Sequence, residues 1–339
     1  MLLIINNCSN AYYNLAAEEY FIDHFDDDIV MLWRNDNTVV IGKNQNTIEE
    51  INSAYVEENN ISVVRRLTGG GAVFHDMGNV NYTVIQNNRE GLFSNYEYFT
   101  EAIRQFLQEL GVNATLSGRN DLMIDGKKFS GNAQCVRNGR MMHHGTLMFS
   151  SDVRDISGAL TPNRKKIESK AVKSVRSHVT NISSHMRQHE NNETEESSMS
   201  AEEFMLLLYD FYLENYPGAV PYELTDSDRA AIQKLADEKY STWGWNYGAS
   251  PAFAAAASRK FDFGLVDVRL NVSRGRIKNI RIYGDYFGVR SMSEIEEMLA
   301  GTEYRIDAVE QALSRVNLSD YISGMTADEL AELIMRGGM

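Results

Sequence analysis

The run Val63-Val64-Arg65-Arg66-Leu67-Thr68-Gly69-Gly70-Gly71-Ala72-Val73-Phe74-His75-Asp76 sets three consecutive glycines after a β-branched stretch. Lacking a Cβ, they let a chain leaving a strand turn sharply and bring its peptide N–H groups against a ligand. Arg65 and Arg66 add fixed charge and planar forks suited to phosphate or carboxylate. No Gly-Lys-Ser/Thr follows, so this is not a Walker loop, and Phe74 stands where a Gly-x-Gly-x-x-Gly motif needs its last glycine. Two readings stay open here: an anion grip, or a glycine-rich turn with solvated arginines.

The rest of the chain reads as strands and helices in alternation. The opening MLLII reads as a buried first strand, and 12–24 as an amphipathic helix with an acidic outer face that includes Glu18 and Glu19. Ile29–Trp33 and Thr38–Ile41 flank Arg34-Asn35-Asp36-Asn37, which predicts a hairpin. Further strands are expected at 61–66 and 80–85, and a helix over 96–110 ending at Gly111. Asp125-Gly126 predicts a tight hairpin between 121–124 and 128–133. The segment 184–200 is polar and acidic, a surface loop or insertion, and Ser200 with Glu203 opens a capping-box helix. Aromatic and small residues alternate over 243–251, a packed crossover about which the C-terminal part is expected to move as a body. Beyond it, 261–272 and 276–283 form a hairpin, and three helical patterns follow near 293–299, 306–316 and 326–335. We divide the chain into a catalytic domain at 1–245, a crossover at 246–252 and a small α+β accessory domain at 253–339.

Among 339 residues, 33 Lys and Arg stand against 47 Asp and Glu, a net charge of −14. A protein held to nucleic acid by phosphate contacts wants the opposite sign, so a nucleic-acid partner is not expected. Cys8 and Cys135 cannot build a disulfide framework or a zinc site, which fits a reducing compartment, the cytoplasm. No stretch approaches the ~20 apolar residues of a bilayer span, so no membrane partner is expected.

Two further clusters carry chemistry. In Asn120-Asp121-Leu122-Met123-Ile124-Asp125-Gly126-Lys127-Lys128, strand alternation sends Lys127 and Lys128 to opposite faces, so only one can point inward. An inward lysine neutralises charge building on phosphate oxygens, and Asp121 is the oxygen ligand type that magnesium uses beside nucleotide phosphates. A surface hairpin with two solvated lysines is the alternative. In His143-His144-Gly145-Thr146-Leu147, adjacent strand histidines face opposite ways, so they cannot chelate one metal, and one of them is free to line a pocket. Lys165, Lys166, Lys170, Lys173 and Arg176 form a basic island, either a solvated face or a contact for a triphosphate or acidic partner.

Taken together, the glycine run, Gly118-Arg119-Asn120-Asp121, Lys128-Phe129-Ser130-Gly131-Asn132-Ala133, His143-His144-Gly145-Thr146-Leu147, Ser174-Val175-Arg176-Ser177 and Trp243-Gly244-Trp245-Asn246-Tyr247-Gly248 resemble the lipoate-protein ligases. The motifs lie in the family's order over almost the whole chain, as do Asn14-Leu15-Ala16 and Leu32-Trp33-Arg34-Asn35. The resemblance implies an α+β biotin/lipoate ligase fold with mixed sheets, flanking helices and a C-terminal accessory domain. It implies ATP as co-substrate with magnesium, a lipoyl-adenylate intermediate, release of pyrophosphate then AMP, and transfer of the lipoyl group to a lysine of an acceptor lipoyl domain. That acceptor is an oxo-acid dehydrogenase subunit or the glycine-cleavage carrier protein. Carried over by position, Arg66, Gly71, Ala72, Val73 and Phe74 resemble the ATP- and adenylate-binding run, and Lys128 the lysine that bridges lipoyl carbonyl and phosphate. Asp121 is assigned to nucleotide and magnesium; Thr68, Gly69, Gly70, His75, Asn79, His144 and Gly145 are assigned to lipoate. Leu15, Val73 and Leu147 are candidate linings of an apolar tunnel, with core packing as the alternative. The chain departs from the family at Thr68, where serine is common, and at His178, where arginine is common.

The competing reading is an ATP-independent octanoyl or lipoyl transferase of the same superfamily, working through a cysteine thioester for which Cys135 is the candidate. A non-catalytic RNA-binding module would want a basic surface and no anion loop, against the acidic balance.

Overall fold

The computed structural model describes residues 1–118, 120–152, 158–160, 179–186, 199–247, 255–273 and 275–336. The strands are β1 (Leu2–Asn6), β2 (Ile29–Trp33), β3 (Thr38–Ile41), β4 (Ser62–Arg65), β5 (Val73–His75), β6 (Asn79–Asn87) and β7 (Thr115–Ser117). They continue with β8 (Asp121–Ile124), β9 (Lys127–Arg137), β10 (Arg140–Met148), β11 (Val220–Pro221), β12 (Ala255–Phe261), β13 (Gly264–Ser273) and β14 (Arg276–Gly284). An eight-stranded mixed sheet runs β11-β1-β2-β6-β10-β9-β8-β7, and a separate three-stranded sheet runs β4-β3-β5.

Strand β2 is buried along its whole length because the large sheet is covered on both faces. Val30 and Leu32 join Phe106, Phe204 and Leu208 of helices Tyr96–Glu109 and Ala201–Asn215. Ile29, Met31 and Trp33 join Leu15 and Phe21 of helix Ala11–His24 on the other side. A period of two thus feeds two cores from one apolar run. Leu147 belongs to the first core with no exposed surface, so it lines no tunnel.

The hairpin expected across 34–37 does not form. β2 pairs with β1 and β6 in the large sheet, whereas β3 pairs with β4 and β5 in the small one. Asn14 explains the crossing: its buried amide donates to Arg34 O and to Asn35 Oδ1, each at 2.9 Å, pinning the connection to the first helix. That helix is also buried where an acidic outer face was expected, with Glu18 at 1% and Glu19 at 5% exposure. Glu19 is satisfied by Lys239 at 2.5 Å, Arg137 at 3.1 Å and the Tyr240 hydroxyl at 2.6 Å. Such partners, over 100 residues away in sequence, are invisible to a local pattern.

The Asp125-Gly126 hairpin forms, with φ of +50° and +75° at its two turn residues. The capping box at Ser200 and Glu203 is present. The C-terminal part differs from expectation in one respect: 261–272 is not a single strand, because Asp262 and Phe263 turn the chain and Ala255–Phe261 becomes a third strand, antiparallel to β13. Helices Met292–Leu299, Ile306–Leu313 and Ala327–Arg336 close this sheet around its own core, which includes Val268, Ile282, Ile295 and Leu330. Among the described residues no helix is long and apolar enough to cross a membrane.

Candidate active site

A cleft opens between the two sheets of the larger part of the chain. The small sheet supplies Val40, Val73 and His75, and Arg66 follows directly on β4; the large sheet supplies Trp33, Asn81, Lys128, Asn132, His144 and Gly145. Leu15 and Val73 therefore do face it.

Its best-defined wall is the glycine loop, and Arg66 holds that loop rather than standing free of it. The buried guanidinium donates to Gly69 O at 2.6 Å, Gly71 O at 2.8 Å, Val40 O at 3.2 Å and Thr68 Oγ1 at 2.9 Å. Burial lowers its pKa to about 10, with Glu18 opposing the shift. Gly70 adopts φ +87°, a conformation that suits glycine. A Cβ on Gly69 would lie 2.3 Å from Tyr286 O, so a glycine here lets the C-terminal part approach closely. Phe287, from the same approach, lines the cleft beside Gly70. Gly71 has nothing within 4 Å of a built Cβ and presents its backbone to open space, as a ligand-facing residue would.

Thr68 lies behind the loop in a chain of buried polar groups. Trp33 Nε1 donates to Thr83 Oγ1 at 2.9 Å, which donates to Glu18 Oε1 at 2.6 Å. The same carboxylate oxygen lies 2.8 Å from His144 Nδ1, and His144 Nε2 lies 2.8 Å from Thr68 Oγ1. An ionised Glu18 can only accept, so Nδ1 carries a proton and the ring orientation is fixed. The chain joins the large sheet to the arginine-held loop. His143, on the opposite face of β10, stacks on Phe99 at 4.8 Å and does not reach the cleft. His75 is bonded to Asn35 and Thr146, each at 3.1 Å; burial first, then Arg66 and His144, lower its pKa to about 3. It is therefore neutral at ordinary pH.

Lys128 rather than Lys127 reaches the cleft. Lys127 is exposed, while the register shift between Leu122 and Met123 seats Phe129 in the core and turns Lys128 over Gly131. The Lys128 ammonium pairs with Asp121 Oδ1 at 2.8 Å. Asn132 adjoins this end, taking the Tyr82 hydroxyl at 2.5 Å, and Gly145 leaves room for both, since a Cβ there would sit 2.2 Å from Asn132 Oδ1.

Several expected site residues lie elsewhere. Phe74 turns its side chain into the core with Val39, Ile41 and Val63, because β5 alternates away from the cleft there. Buried Asn79 donates to Asp76 Oδ1 at 3.0 Å and supports the turn into β6. Thr68 and Gly69 support the loop from behind. Asp121 reaches the cleft only through Lys128. Arg65, read beside Arg66 as part of a grip, is structural: it donates to the carbonyls of Gly42, Lys43, Gln45, Trp245 and Asn246 and to Thr47 Oγ1. Burial lowers its pKa to about 10. Trp33, Asn120, Asn132 and Phe287 were missed as cleft residues. The bulge at Phe129 breaks strand alternation between Lys128 and Asn132, and Phe287 left no local signal. Arg119, the 165–176 basic island and His178 lie outside the described residues.

The family model of the lipoyl protein ligase A/B catalytic domain matches residues 10–205, and that of the bacterial lipoate protein ligase C-terminus matches residues 250–334. The chain therefore belongs to the lipoate-protein ligase family. It is 44% identical to the lipoate-protein ligase LplJ of Bacillus subtilis (strain 168), covering 98% of this chain and 100% of that one. A bipartite lipoate protein ligase from Thermoplasma acidophilum, described with its E2 lipoyl domain, is 28% identical with TM-score 0.63, covering 75% of this chain and 98% of that one. Lipoate-protein ligase A bound with ATP is 27% identical with TM-score 0.61, covering 73% and 98%.

Proposed function

We propose that this lipoate-protein ligase joins free lipoate to a lysine of an acceptor lipoyl domain through a lipoyl-adenylate. The lipoate carboxylate attacks the α-phosphorus of ATP; a P–O bond forms, and the bond to the β-phosphate breaks with its electrons leaving on pyrophosphate. The acceptor amine then attacks the carbonyl carbon, forming the amide as the C–O bond to AMP breaks and the amine loses its proton. Both steps build negative charge on one phosphate and one carbonyl oxygen, and a fixed ammonium between them stabilises both. The observation that carries this reading is the placement of Lys128: an ammonium held by Asp121 over Gly131, at the rim of a cleft whose inner wall is apolar at Leu15, Trp33, Val40 and Val73.

Gly71, Ala72 and Val73 would lie along the nucleotide, and His144 and Gly145 along the acyl group. ATP is taken as co-substrate on the strength of the ATP-bound relative, and an E2-type or glycine-cleavage lipoyl domain as acceptor. Magnesium fits this chain only in part: Asp121 is a single carboxylate already engaged by Lys128, and no group of three or more ligand side chains occurs among the described residues. We therefore place the ion on the ATP phosphates and derive no step through it. The domain limits 1–245, 246–252 and 253–339, and a cytoplasmic location, are part of the same reading. Contacts of Gly69 and Gly70 with Tyr286 and Phe287 are those that a movement of the C-terminal part would break.

The geometry speaks against the thioester route, since Cys135, on β9, is buried in the core and burial pushes its thiol up to about 12. The deciding assay is intact-mass detection of acceptor lipoylation with ATP and free lipoate, coupled to pyrophosphate release. Lipoate-dependent release is expected, and Lys128→Ala should abolish it in a folded protein. Transfer from an acyl-carrier donor without ATP would overturn the ligase reading.

A further inference from the structure

Asp76 closes the glycine run, directly after the cleft residue His75, and no step of the proposed function uses it. Its carboxylate is nevertheless engaged at both oxygens. Oδ1 accepts from Gly78 N at 2.9 Å and from Asn79 Nδ2 at 3.0 Å, while Oδ2 accepts from Asp152 N at 2.8 Å. The first two bonds stay within the turn between β5 and β6; the third leaves it for the segment that follows β10. Gly78 makes the same crossing. Its carbonyl accepts from Phe149 N at 3.1 Å and from Ser150 N at 3.0 Å, and a Cβ on it would run into the Ser150 carbonyl.

The segment 149–152 is held in turn by residues 181–183. Asn181 grips one residue with both ends of its amide: Oδ1 accepts from Ser151 N at 3.1 Å, and Nδ2 donates to Ser151 O at 3.0 Å. Ser183 N donates to Phe149 O at 3.1 Å, and Ile182, with no exposed surface, anchors the segment in the first core.

Just before Asn181 the chain reaches Lys128. The pairing of β9 with β10 ends at Ser130 and Leu147, so the start of β9 extends past its neighbour. There Val179 forms a parallel bridge with Lys128, and Thr180 N donates to Lys128 O at 2.9 Å. Lys128 also pairs with Met123 of β8, beside the register shift. A bulge disrupts the ladder, so the backbone direction at Lys128 depends on the residues that flank it. His185 ties the same segment to the hairpin turn, with Nε2 2.8 Å from Thr180 Oγ1 and Nδ1 3.4 Å from Asp125 Oδ2.

Hydrogen bonds and adjacent peptide links thus run from Asp76 through 151–152 and Asn181 to the backbone of Lys128. Strand β5, which carries Val73 and His75, belongs to the small sheet and Lys128 to the large one, so no shared strand pairing fixes their separation. Neither Asp76 nor Asn181 lines the cleft. We infer that both are positioning residues, whose hydrogen-bonded frame sets the distance between the glycine run and the Lys128 ammonium. The inference rests on the role proposed above for Lys128. An ammonium that serves a phosphate and a carbonyl oxygen at once must be placed closely, since a misplacement of about 1 Å can cost about a hundredfold in rate.

The test measures lipoate- and ATP-dependent pyrophosphate release by the full chain, expressed per lipoate site counted by calorimetry. Asn181→Ala should lower kcat about tenfold or more, with KM for lipoate and for ATP within about twofold and the site count unchanged. Asp76→Asn keeps the shape but replaces one acceptor oxygen by a donor, and should lose a similar factor. The double variant should lose about as much as either single variant, because both break one frame. A purely structural role would instead lower the melting temperature or the site count and leave turnover per site intact. Either single variant decides the matter if the other fails to fold. The inference is overturned if turnover per site stays within about twofold of wild type, or if the two losses multiply in the double variant. Lys128→Ala serves as the control on the underlying reading. Wild type that releases no pyrophosphate, or a Lys128→Ala variant with a near-normal rate, overturns the reading of Lys128 and the inference with it; a normal wild type and an inactive Lys128→Ala beside unaffected Asn181 and Asp76 variants overturn the inference alone.

Discussion

The glycine triplet performs two tasks that alanine substitution separates. Gly70 holds φ +87°, and a Cβ there would meet Arg66 Nη2 at 3.0 Å and the Phe287 ring at 3.1 Å. The left-handed backbone costs an L-residue roughly 1–2 kcal/mol, before any displacement of the ring. Gly69 has no such dihedral, but its Cβ would stand 2.3 Å from the Tyr286 carbonyl oxygen, which is backbone and cannot rotate aside. Relief requires moving the 284–287 segment, which loosens the Gly70 N contact to Tyr286 O and the Gly284 N bond to Asn44 O. Overpacking of this kind costs about 1–3 kcal/mol. Gly71 has open space, so Gly71→Ala should leave stability unchanged or raise it by about 0.4–1 kcal/mol through the unfolded chain. Urea unfolding of the three variants, followed by tryptophan fluorescence, should rank Gly69→Ala and Gly70→Ala well below Gly71→Ala. Pyrophosphate release should show a different order, with Gly71→Ala impaired despite its stability, because on the proposed function its methyl would face the nucleotide. Equal stability losses at all three positions, or none at Gly69, would refute the packing account.

Glu18→Ala strands His144 Nδ1 and Thr83 Oγ1 in the interior, so about 3–5 kcal/mol should be lost in urea unfolding, and Glu18→Gln, which keeps an oxygen, should lose clearly less. His75, with a pKa of about 3 in the fold, is protonated far more readily when unfolded, so its contribution is intact above pH 6.5 and is lost as pH falls. By pH 5 that amounts to about 2 kcal/mol, and buried His143 shifts the same way. The urea midpoint should therefore drop between pH 7 and pH 5, and drop less in His75→Gln; a flat profile would contradict the burial argument. Cys135→Ser should keep ATP-dependent lipoylation within a few-fold, and complete loss in a folded protein would revive the thioester route.

What could be read from the sequence follows from the range over which each signal acts. The Asp125-Gly126 turn and the Ser200 and Glu203 capping box rest on neighbours a few residues apart, where geometry is dictated by backbone sterics; strand alternation said only that one of Lys127 and Lys128 faces inward, and the resemblance pointed to Lys128. The missed features depend on partners remote in the chain. Four asparagine and turn residues between β2 and β3 look like a hairpin until Asn14, some 20 residues earlier, claims Asn35. Glu18 and Glu19 look solvent-facing until residues over 60 positions away supply Thr83, His144 and Lys239. Arg65 and Arg66, identical in type and adjacent, differ because one reaches carbonyls of the 42–47 segment and the other those of the glycine loop, and carbonyl partners carry no sequence signature.

The same distinction bears on charge. A net −14 describes the surface average, yet the groups that organise the cleft are internal: Glu18 behind His144, Glu19 against Lys239 and Arg137, and two arginines whose donors are spent on the backbone. Glu18 and Glu19 have each found partners among the described residues, and those partners come from elements remote in the chain.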